Sequence, residues 1–261
     1  MTERKKHWGL ARNAPLPYTA CEMVRFQLFG IPISIHPSLW VVLALLGGGL
    51  HLQSAEQLLP IAIFVISAFL SLLVHELGHA LTGRALGGGN PQIHFAYLGG
   101  LCHNPNGRWS RLSGAAMTVA GPLAAIGWGV LAALLLSLYI GDFELGLRYA
   151  WHSVWFWDSL SLGEEAALRS LALSDGALYF FQCTLLVSFW WSILNLLPVY
   201  PLDGGQILGG LMTSAKRLHM LSMAAAALLT ALAFAFQYWF PGAIMIYFAV
   251  FNYKAMLASP H

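Results

Sequence analysis

The sequence predicts an all-α polytopic membrane protein with about six transmembrane helices and a short membrane-associated β segment near residues 92–102. Three observations predict this class. Hydrophobic residues make up 58% of the chain and charged residues only 9%, whereas soluble domains carry about 25% charged residues. Apolar runs of roughly 20 residues, the length that crosses a bilayer, recur along the chain. Residues 92–102 alternate weakly and contain Gly-Gly, which is typical of a strand and a turn.

Six apolar runs are candidate spans. They lie at Ile31–Leu52, Leu58–Leu86, Ser113–Ile140, Ala177–Val199, Leu218–Phe236 and Tyr238–Leu257. The first has Pro32 and Pro37 near its start, so we expect the helix there to be shorter than the apolar run. We therefore divide the chain into a basic cytoplasmic N-terminal arm, 1–30, and a single six-helix domain, 31–258, and we expect neither a PDZ-like insertion nor a C-terminal regulatory domain.

The basic residues predict the orientation, because Lys and Arg gather in short cytoplasmic loops. With six spans, eleven of the thirteen Lys and Arg residues fall on one side. Only Arg148 and Arg169 fall on the other, together with seven acidic residues. The prediction is that both termini are cytoplasmic and that residues 141–176 lie outside.

A His-Glu-x-x-His pattern lies at the end of the second apolar run, over residues 75–79. On a helix, residues four apart share a face, so His75 and His79 can hold one zinc ion. Glu76 would then lie beside the attacking water and could take its proton. The alternative is a pair of packed helix histidines. Chance predicts the pattern only about 0.01 times in such a composition, and ionisable groups at membrane depth are costly and usually functional.

Asp203, in the segment "NLLPVYPLDGGQIL", is the best candidate for a third zinc ligand. The second and fourth predicted helices both run from outside to inside, so Asp203 and the histidines are expected at a similar depth. The rival acids Glu164 and Glu165 belong to the opposite side of the membrane. The Pro and Gly residues around Asp203 predict a broken helix, although Asp-Gly also favours an ordinary turn.

These motifs together resemble the site-2 protease family of intramembrane zinc metallopeptidases. "HELGH" at 75–79 and "NLLPVYPLDGG" at 195–205 carry the resemblance, and "YLGGLC" at 97–102 and "AGPLA" at 120–124 extend it. "GIPISIHPSLW" is similar to the small bacterial branch that contains the sporulation-factor-processing protease. The resemblance covers most of residues 29–212.

The resemblance implies one zinc ion per chain, held by His75, His79 and Asp203, with Glu76 as general base. It also implies that Asn195 helps to position substrate or water, that segment 92–102 receives an extended substrate, and that the chain lies in a bacterial cytoplasmic (inner) membrane. The expected partners are the lipid bilayer and a membrane-protein substrate with a transmembrane segment, and no nucleic acid. One departure is Ala125, where the family commonly has Asn.

The function predicted is cleavage of a peptide bond in or near a transmembrane segment, as in regulated intramembrane proteolysis. Two alternatives stay open. One is a membrane-tethered zinc protease that cuts soluble or interfacial chains, and the other is a non-catalytic protein that binds membrane clients or metal. Three further histidines also have open roles: His94 and His103 are either additional ligands or interfacial residues, and His36 is expected to cap a helix or lie at the membrane interface.

Overall fold

The computed structural model describes residues 24–97, 99–104, 107, 109–155, 159–171 and 174–259. Within these ranges the strands are β1 Val24–Leu28, β2 Ile31–Ile35, β3 Gln92–Ala96 and β4 Gly99–His103. The helices in the same ranges are α1 Pro37–Leu46, α2 Leu58–Ala85, α3 Arg111–Ile140, α4 Phe143–Val154, α5 Leu162–Ser170, α6 Asp175–Asn195, α7 Asp203–Leu211, α8 Ala215–Ala235 and α9 Trp239–Ala258.

Five stretches of the described chain are helical, long and apolar enough to cross a membrane. They are Ala55–Ala85, Arg111–Ile140, Asp175–Asn195, Ala215–Ala235 and Pro241–Ala258. A helix rises about 1.5 Å per residue, so each approaches or exceeds the roughly 30 Å of a hydrocarbon core. They coincide with the second to sixth predicted runs, and the β segment is present as well. The chain is a multi-pass membrane protein, and the predicted fold class is confirmed.

The first predicted span, Ile31–Leu52, has a different structure. Its residues form β2, then α1, then a 3₁₀ turn over Gly49–His51. Pro37 lies in the first turn of α1, where its missing N–H costs nothing, and Gly48 adopts a φ of +106° after the helix ends. Ten residues rise only about 15 Å, half of the hydrocarbon core. Among the described helices, five and not six are therefore long enough to span.

His36 caps α1, as the sequence predicted. Its Nδ1 accepts a hydrogen bond from the backbone N–H of Ser38 at 3.2 Å. The bond satisfies one of the donors that every helix leaves open at its first turn. Helix α1 therefore begins where β2 ends, with no intervening loop.

The strands form one sheet in the order β1-β2-β3-β4. Strands β1 and β2 pair antiparallel, β2 and β3 pair parallel, and β3 and β4 pair antiparallel. The predicted strand and turn over 92–102 is thus the β3–β4 hairpin. The predicted N-terminal arm lies outside the described residues as far as residue 23, and residues 24–28 of it form β1.

One face of the sheet is apolar and packs on α1 and α2. It presents Ile31, Ile33, Ile35, Ile93 and Phe95, each at most 3% exposed. The alternation of strand side chains puts these residues on one face and Ser34 and His94 on the other. The sheet is therefore fixed against the helix that carries the His-Glu-x-x-His motif.

The chain forms two compact units. The first, called here the histidine unit, contains the described residues up to Gly107 together with Ala120–Ser192. The second, called the aspartate unit, contains the start of α3 up to Val119 and the described residues from Ile193 onward. Each unit has its own buried apolar clusters.

Buried hydroxyl groups connect the helices of the histidine unit. Ser188 of α6 donates to Ser71 of α2 at 3.0 Å, and Ser192 donates to the Pro122 carbonyl of α3 at 3.2 Å. Ser71, Ser188 and Ser192 are at most 1% exposed. Between apolar helices in a membrane, such hydroxyl contacts and small residues supply specificity that lipid-like side chains cannot.

Candidate metal centre and general base

His75 and His79 lie four residues apart on α2 and point to one place. Their exposed fractions are 2% and 8%, and their Nε2 atoms are 3.1 Å apart. Two ligands at ~2.0–2.1 Å from one tetrahedral ion lie about 3.3 Å from each other, so the rings are close to the geometry of a shared ion. Neutral imidazole nitrogen is a ligand that zinc prefers. These two residues therefore fit a zinc ion.

Glu76 lies beside the histidines, with its carboxyl group against strand β4. The residue is 6% exposed. A Cβ atom added to Gly100 of β4 would overlap the Glu76 carboxyl group, whose Cδ would be 2.6 Å away. The absence of a side chain at position 100 is thus what allows the carboxylate and the strand to approach. The Glu76 carboxyl group therefore lies against the face of β4 that packs on α2.

Helix α3 approaches the same motif through its backbone. A Cβ on Gly121 would overlap the His79 ring, and a Cβ on Gly78 would overlap the Ala120 carbonyl and lie 2.7 Å from the Ala124 Cβ. Pro122, one residue further along α3, lacks the N–H that would continue the helix ladder. Close backbone contact between α2 and α3 therefore fixes the ring of His79.

Asp203 lies in the aspartate unit, as the first residue of α7. It is 6% exposed, and Leu202 is the N-cap residue of the helix. A carboxylate in the first turn is stabilised by the N-terminal end of the helix dipole. Cβ atoms on Gly204 and Gly205 would overlap backbone atoms of residues 196–200, so the double glycine lets α7 begin directly against the preceding loop.

The structure brings His75, Glu76 and His79 together within the histidine unit. Asp203 belongs to the aspartate unit, so its role as the third ligand stays a prediction. Asn195, the last residue of α6, is 9% exposed, and its role in positioning substrate or water is likewise a prediction. Ala125 on α3 is 1% exposed, so a buried methyl group stands where the family commonly has an amide.

His94 and His103 lie on β3 and β4, on strands of the sheet. His94 Nδ1 forms a hydrogen bond of 2.5 Å with the Ser34 hydroxyl. Burial lowers the pKa of His94, and the nearby His103 and Arg25 lower it further because a second positive charge is unfavourable there. The lowered pKa favours the neutral form of His94, and its hydrogen bond to Ser34 links β3 to β2.

Sequence reasoning missed four residues that contact these motifs or the loop before Asp203. Gly100 and Gly121 occur within the quoted segments "YLGGLC" and "AGPLA", but nothing in the sequence predicts which side chains they contact. Asn252 and His219 lie in apolar spans and are 0% and 5% exposed. The rule that polar residues at membrane depth are functional would have identified this pair.

Comparisons with known proteins agree with the motifs and the fold. The family model of Peptidase family M50 matches residues 63–238. A Synechocystis sp. protein described as "Putative zinc metalloprotease sll0528" is 30% identical over 193 residues, which are 70% of this chain and 42% of that protein. The chain thus spans about two fifths of the length of that relative.

A solved structure also has the same fold. The "Site-2 Protease from Methanocaldococcus jannaschii" matches with a TM-score of 0.53 over 90% of this chain and 95% of that one. At 17% identity this match concerns the fold alone. The resemblance to the site-2 proteases that the motifs predicted is confirmed, and the chain belongs to peptidase family M50.

Proposed function

We propose that the chain is an intramembrane zinc endopeptidase that cleaves a peptide bond in or near a transmembrane segment of a membrane protein. The observation that carries the proposal is the pair of buried imidazoles on α2, whose Nε2 atoms are 3.1 Å apart. A buried carboxyl group, that of Glu76, lies next to them on the same helix. Polar residues of this kind inside an apolar span are unfavourable unless they hold a partner.

In the proposal, His75, His79 and Asp203 hold one zinc ion per chain. When bound, zinc polarises a carbonyl oxygen and lowers the pKa of a water molecule toward about 7. Glu76 takes a proton from the attacking water and returns it to the leaving nitrogen. Asn195 positions substrate or water. Helix α3 holds the ring of His79 in place through the close approach of Gly121.

The position of β4 at the edge of the sheet supports the proposal that the substrate binds as an extended strand. Within the described residues, β4 is the last strand of the sheet and pairs with β3 alone among the strands, so a further strand can add at its other edge. Gly100 of that strand lies against the Glu76 carboxyl group. A substrate strand on β4 would therefore run past the general base. Because a helix shields its peptide bonds, the substrate must first unwind, and helix-breaking residues lower that cost.

Glu76 separates the proposal from the alternatives. A protein that only binds clients or metal has no use for a base beside the two histidines. A tethered protease for soluble chains would cut them as readily as transmembrane segments. Parallel assays with a transmembrane substrate in detergent and with a soluble unfolded protein distinguish the two enzymes. Faster cleavage of the soluble protein would favour the tethered protease.

We further propose that the chain lies in a bacterial cytoplasmic membrane with both termini in the cytoplasm. Five spans alone would put the two termini on opposite sides, so this orientation requires the segment 37–57, which contains the ten-residue helix α1, to cross the membrane as well. The predicted side of the C-terminus is cytoplasmic whether or not that segment crosses, because the loop after α2, the start of α8 and the end of α9 all carry Lys or Arg. Single-cysteine labelling at positions 24, 143 and 216, after replacement of the native cysteines, tests this. Labelling of position 216 from outside would reverse the orientation.

Metal analysis tests the ligands. Purified wild-type protein should contain one zinc ion per chain and lose cleavage activity with a chelator. His75→Ala, His79→Ala and Asp203→Ala should each lose most of the zinc, whereas His51→Ala, at an exposed position outside the motifs, should keep it. Full zinc in Asp203→Ala would remove that residue from the site, and zinc-free active protein would overturn the proposal.

A further inference from the structure

The loop before Asp203 is bound from both sides by side chains of the last two helices. The backbone N–H of Tyr200 donates to Ser222 Oγ of α8 at 3.1 Å. The Tyr200 carbonyl accepts from Asn252 Nδ2 of α9 at 2.6 Å. Ser222 and Asn252 are both 0% exposed. Both polar backbone groups of one loop residue are thus satisfied by buried groups from two different helices.

The amide of Asn252 has one possible orientation. Its Nδ2 also donates to the Phe248 carbonyl at 2.9 Å, so both N–H groups point at carbonyl oxygens. Its Oδ1 is 2.9 Å from His219 Nδ1. Because an amide oxygen only accepts, His219 must carry its proton on Nδ1. The reversed amide would place an oxygen against two carbonyls, which is repulsive.

Helix-to-helix adhesion does not account for this arrangement. The His219–Asn252 bond already joins α8 to α9, and the Phe248 bond remains within α9. The other Nδ2 hydrogen of Asn252 is donated outside α9, to the Tyr200 carbonyl in the loop. Packing reinforces the bond, because the Tyr200 ring lies edge-on to His219, with centroids 5.4 Å apart.

The connection from Tyr200 to Asp203 is short and tightly packed. Leu202 donates its N–H to the Val199 carbonyl at 2.8 Å, and Gln206 Nε2 donates to the Pro201 carbonyl at 3.1 Å. A Cβ on Gly205 would overlap the Tyr200 backbone. Displacement of Tyr200 therefore displaces the first turn of α7, where Asp203 lies.

We propose that Asn252, supported by His219 and Ser222, is a positioning residue for Asp203. It holds the Tyr200 carbonyl and so sets the place and direction of the Asp203 carboxylate. The inference rests on the proposed role of Asp203 as a zinc ligand. It assigns to α8 and α9 a part in metal retention, beyond that of membrane anchors.

Two measurements on the full-length protein in detergent test the inference. The first is hydrogen–deuterium exchange of the peptide 196–205 in metal-free protein. The second is the rate of zinc loss to excess chelator. The variants are Asn252→Ala, which removes the tether to the carbonyl, and Ser222→Ala, which removes the acceptor of the Tyr200 N–H. The matched control is Thr230→Ala, because within the described part of the chain the Thr230 hydroxyl donates to the Ala226 carbonyl of its own helix and not to the loop.

Asn252→Ala should raise the exchange rate of peptide 196–205 and the rate of zinc loss by about tenfold each. Ser222→Ala should raise both by a smaller factor, and Thr230→Ala should match the wild type. If Asn252→Ala does not fold, Ser222→Ala decides on the same two readouts.

Two outcomes would overturn the inference, and they are distinguishable. In the first, the loop exchanges faster in the Asn252 and Ser222 variants but zinc is lost at the wild-type rate, while Asp203→Ala loses its zinc. The ligand assignment then holds, and the tether serves only the fold. In the second, Asp203→Ala keeps its zinc. The ligand set of the proposed function then fails, and the positioning role fails with it.

Discussion

The surroundings of α2 at residues 75–79 differ in kind from those of the loop before Asp203. Around the histidine motif, Gly100 and Gly121 let backbone come within contact of the Glu76 and His79 side chains, and Gly78 lets α2 approach the backbone of α3. Before Asp203, side chains of α8 and α9 hold the backbone of Tyr200. A helix already fixes its own backbone, so the motif on α2 needs only closely packed neighbouring segments to fix its side chains. A loop has no such ladder and depends on bonds from outside.

This difference predicts two different sensitivities. Added volume should damage the histidine motif, because there is no room for a methyl group beside Glu76 or His79. Lost hydrogen bonds should damage the aspartate loop, because the Tyr200 backbone groups bind two fully buried side chains, and an unmade bond leaves a polar group unsatisfied at ~1–3 kcal/mol each. Three substitutions test the histidine side of this comparison, in order of decreasing effect.

Gly100→Ala should have the largest effect, and it should fall on turnover. The new Cβ would displace the flexible end of Glu76 and leave the two histidines in place. We expect activity to fall by a factor on the order of 10², the lower part of the range for loss of a general base. Zinc content and thermal midpoint should stay near the wild-type values. Cleavage rate and metal content, measured on one preparation, check this.

The neighbouring glycine is the control for that variant. A Cβ on Gly99 would lie 3.5 Å from Trp191 Cζ2, an ordinary contact. Gly99→Ala should therefore cleave at close to the wild-type rate. Equal loss of activity in the two variants would mean that the strand as a whole, and not the Glu76 contact, is responsible.

Gly121→Ala should have the next largest effect, on stability and on zinc together. The new Cβ would overlap the His79 ring, which cannot bend away as a glutamate can. Overpacking of this kind costs about 1–3 kcal/mol. The thermal midpoint and the rate of zinc loss report the two effects. Gly127→Ala on the same helix has no atom within 4 Å of its Cβ and should be neutral or slightly stabilising. A Gly121→Ala protein with the wild-type thermal midpoint and the wild-type rate of zinc loss would contradict the view that close packing of α3 fixes the His79 ring.

Ser188→Ala should have the smallest effect of the three. It removes the hydroxyl bond to Ser71 between α6 and α2. Interhelical hydrogen bonds in membranes contribute about 0.6 kcal/mol on average. Thr184→Val, which removes a bond only to its own helix at Phe180, is the matched control. In equilibrium unfolding, Ser188→Ala should be slightly less stable than Thr184→Val, and both variants should keep the wild-type zinc content. Zinc loss in Ser188→Ala as fast as in Asn252→Ala would erase the distinction between the two regions.

The motif of the candidate site and most of the spans could be predicted because both are local sequence patterns. The spacing of His75, Glu76 and His79 follows from one helix turn, and the lengths of α2, α3, α6, α8 and α9 follow from their apolar runs. The β3–β4 hairpin was visible in its alternation and its Gly-Gly. Each of these signals lies within about 30 consecutive residues.

The features that were not predicted depend on contacts between distant segments. The run Ile31–Leu52 was apolar enough for a span, but β2 pairs with β3, about 60 residues later, and removes the first residues from the helix. Strand β1 fell within the predicted N-terminal arm, 1–30, because the residues of its partner β2 were assigned to the first span. Which glycine meets Glu76 and which meets His79 follows only from the packing of β4 and α3 on α2.

The most direct measurement is cleavage of a transmembrane substrate by Glu76→Gln protein in detergent. Glutamine keeps the size and hydrogen bonding of Glu76 but cannot accept a proton. The variant should keep its zinc and still bind substrate, while turnover falls by a factor on the order of 10² or more. Cleavage at the wild-type rate by zinc-loaded Glu76→Gln would contradict the account, because the base on α2 would then have no part in the reaction.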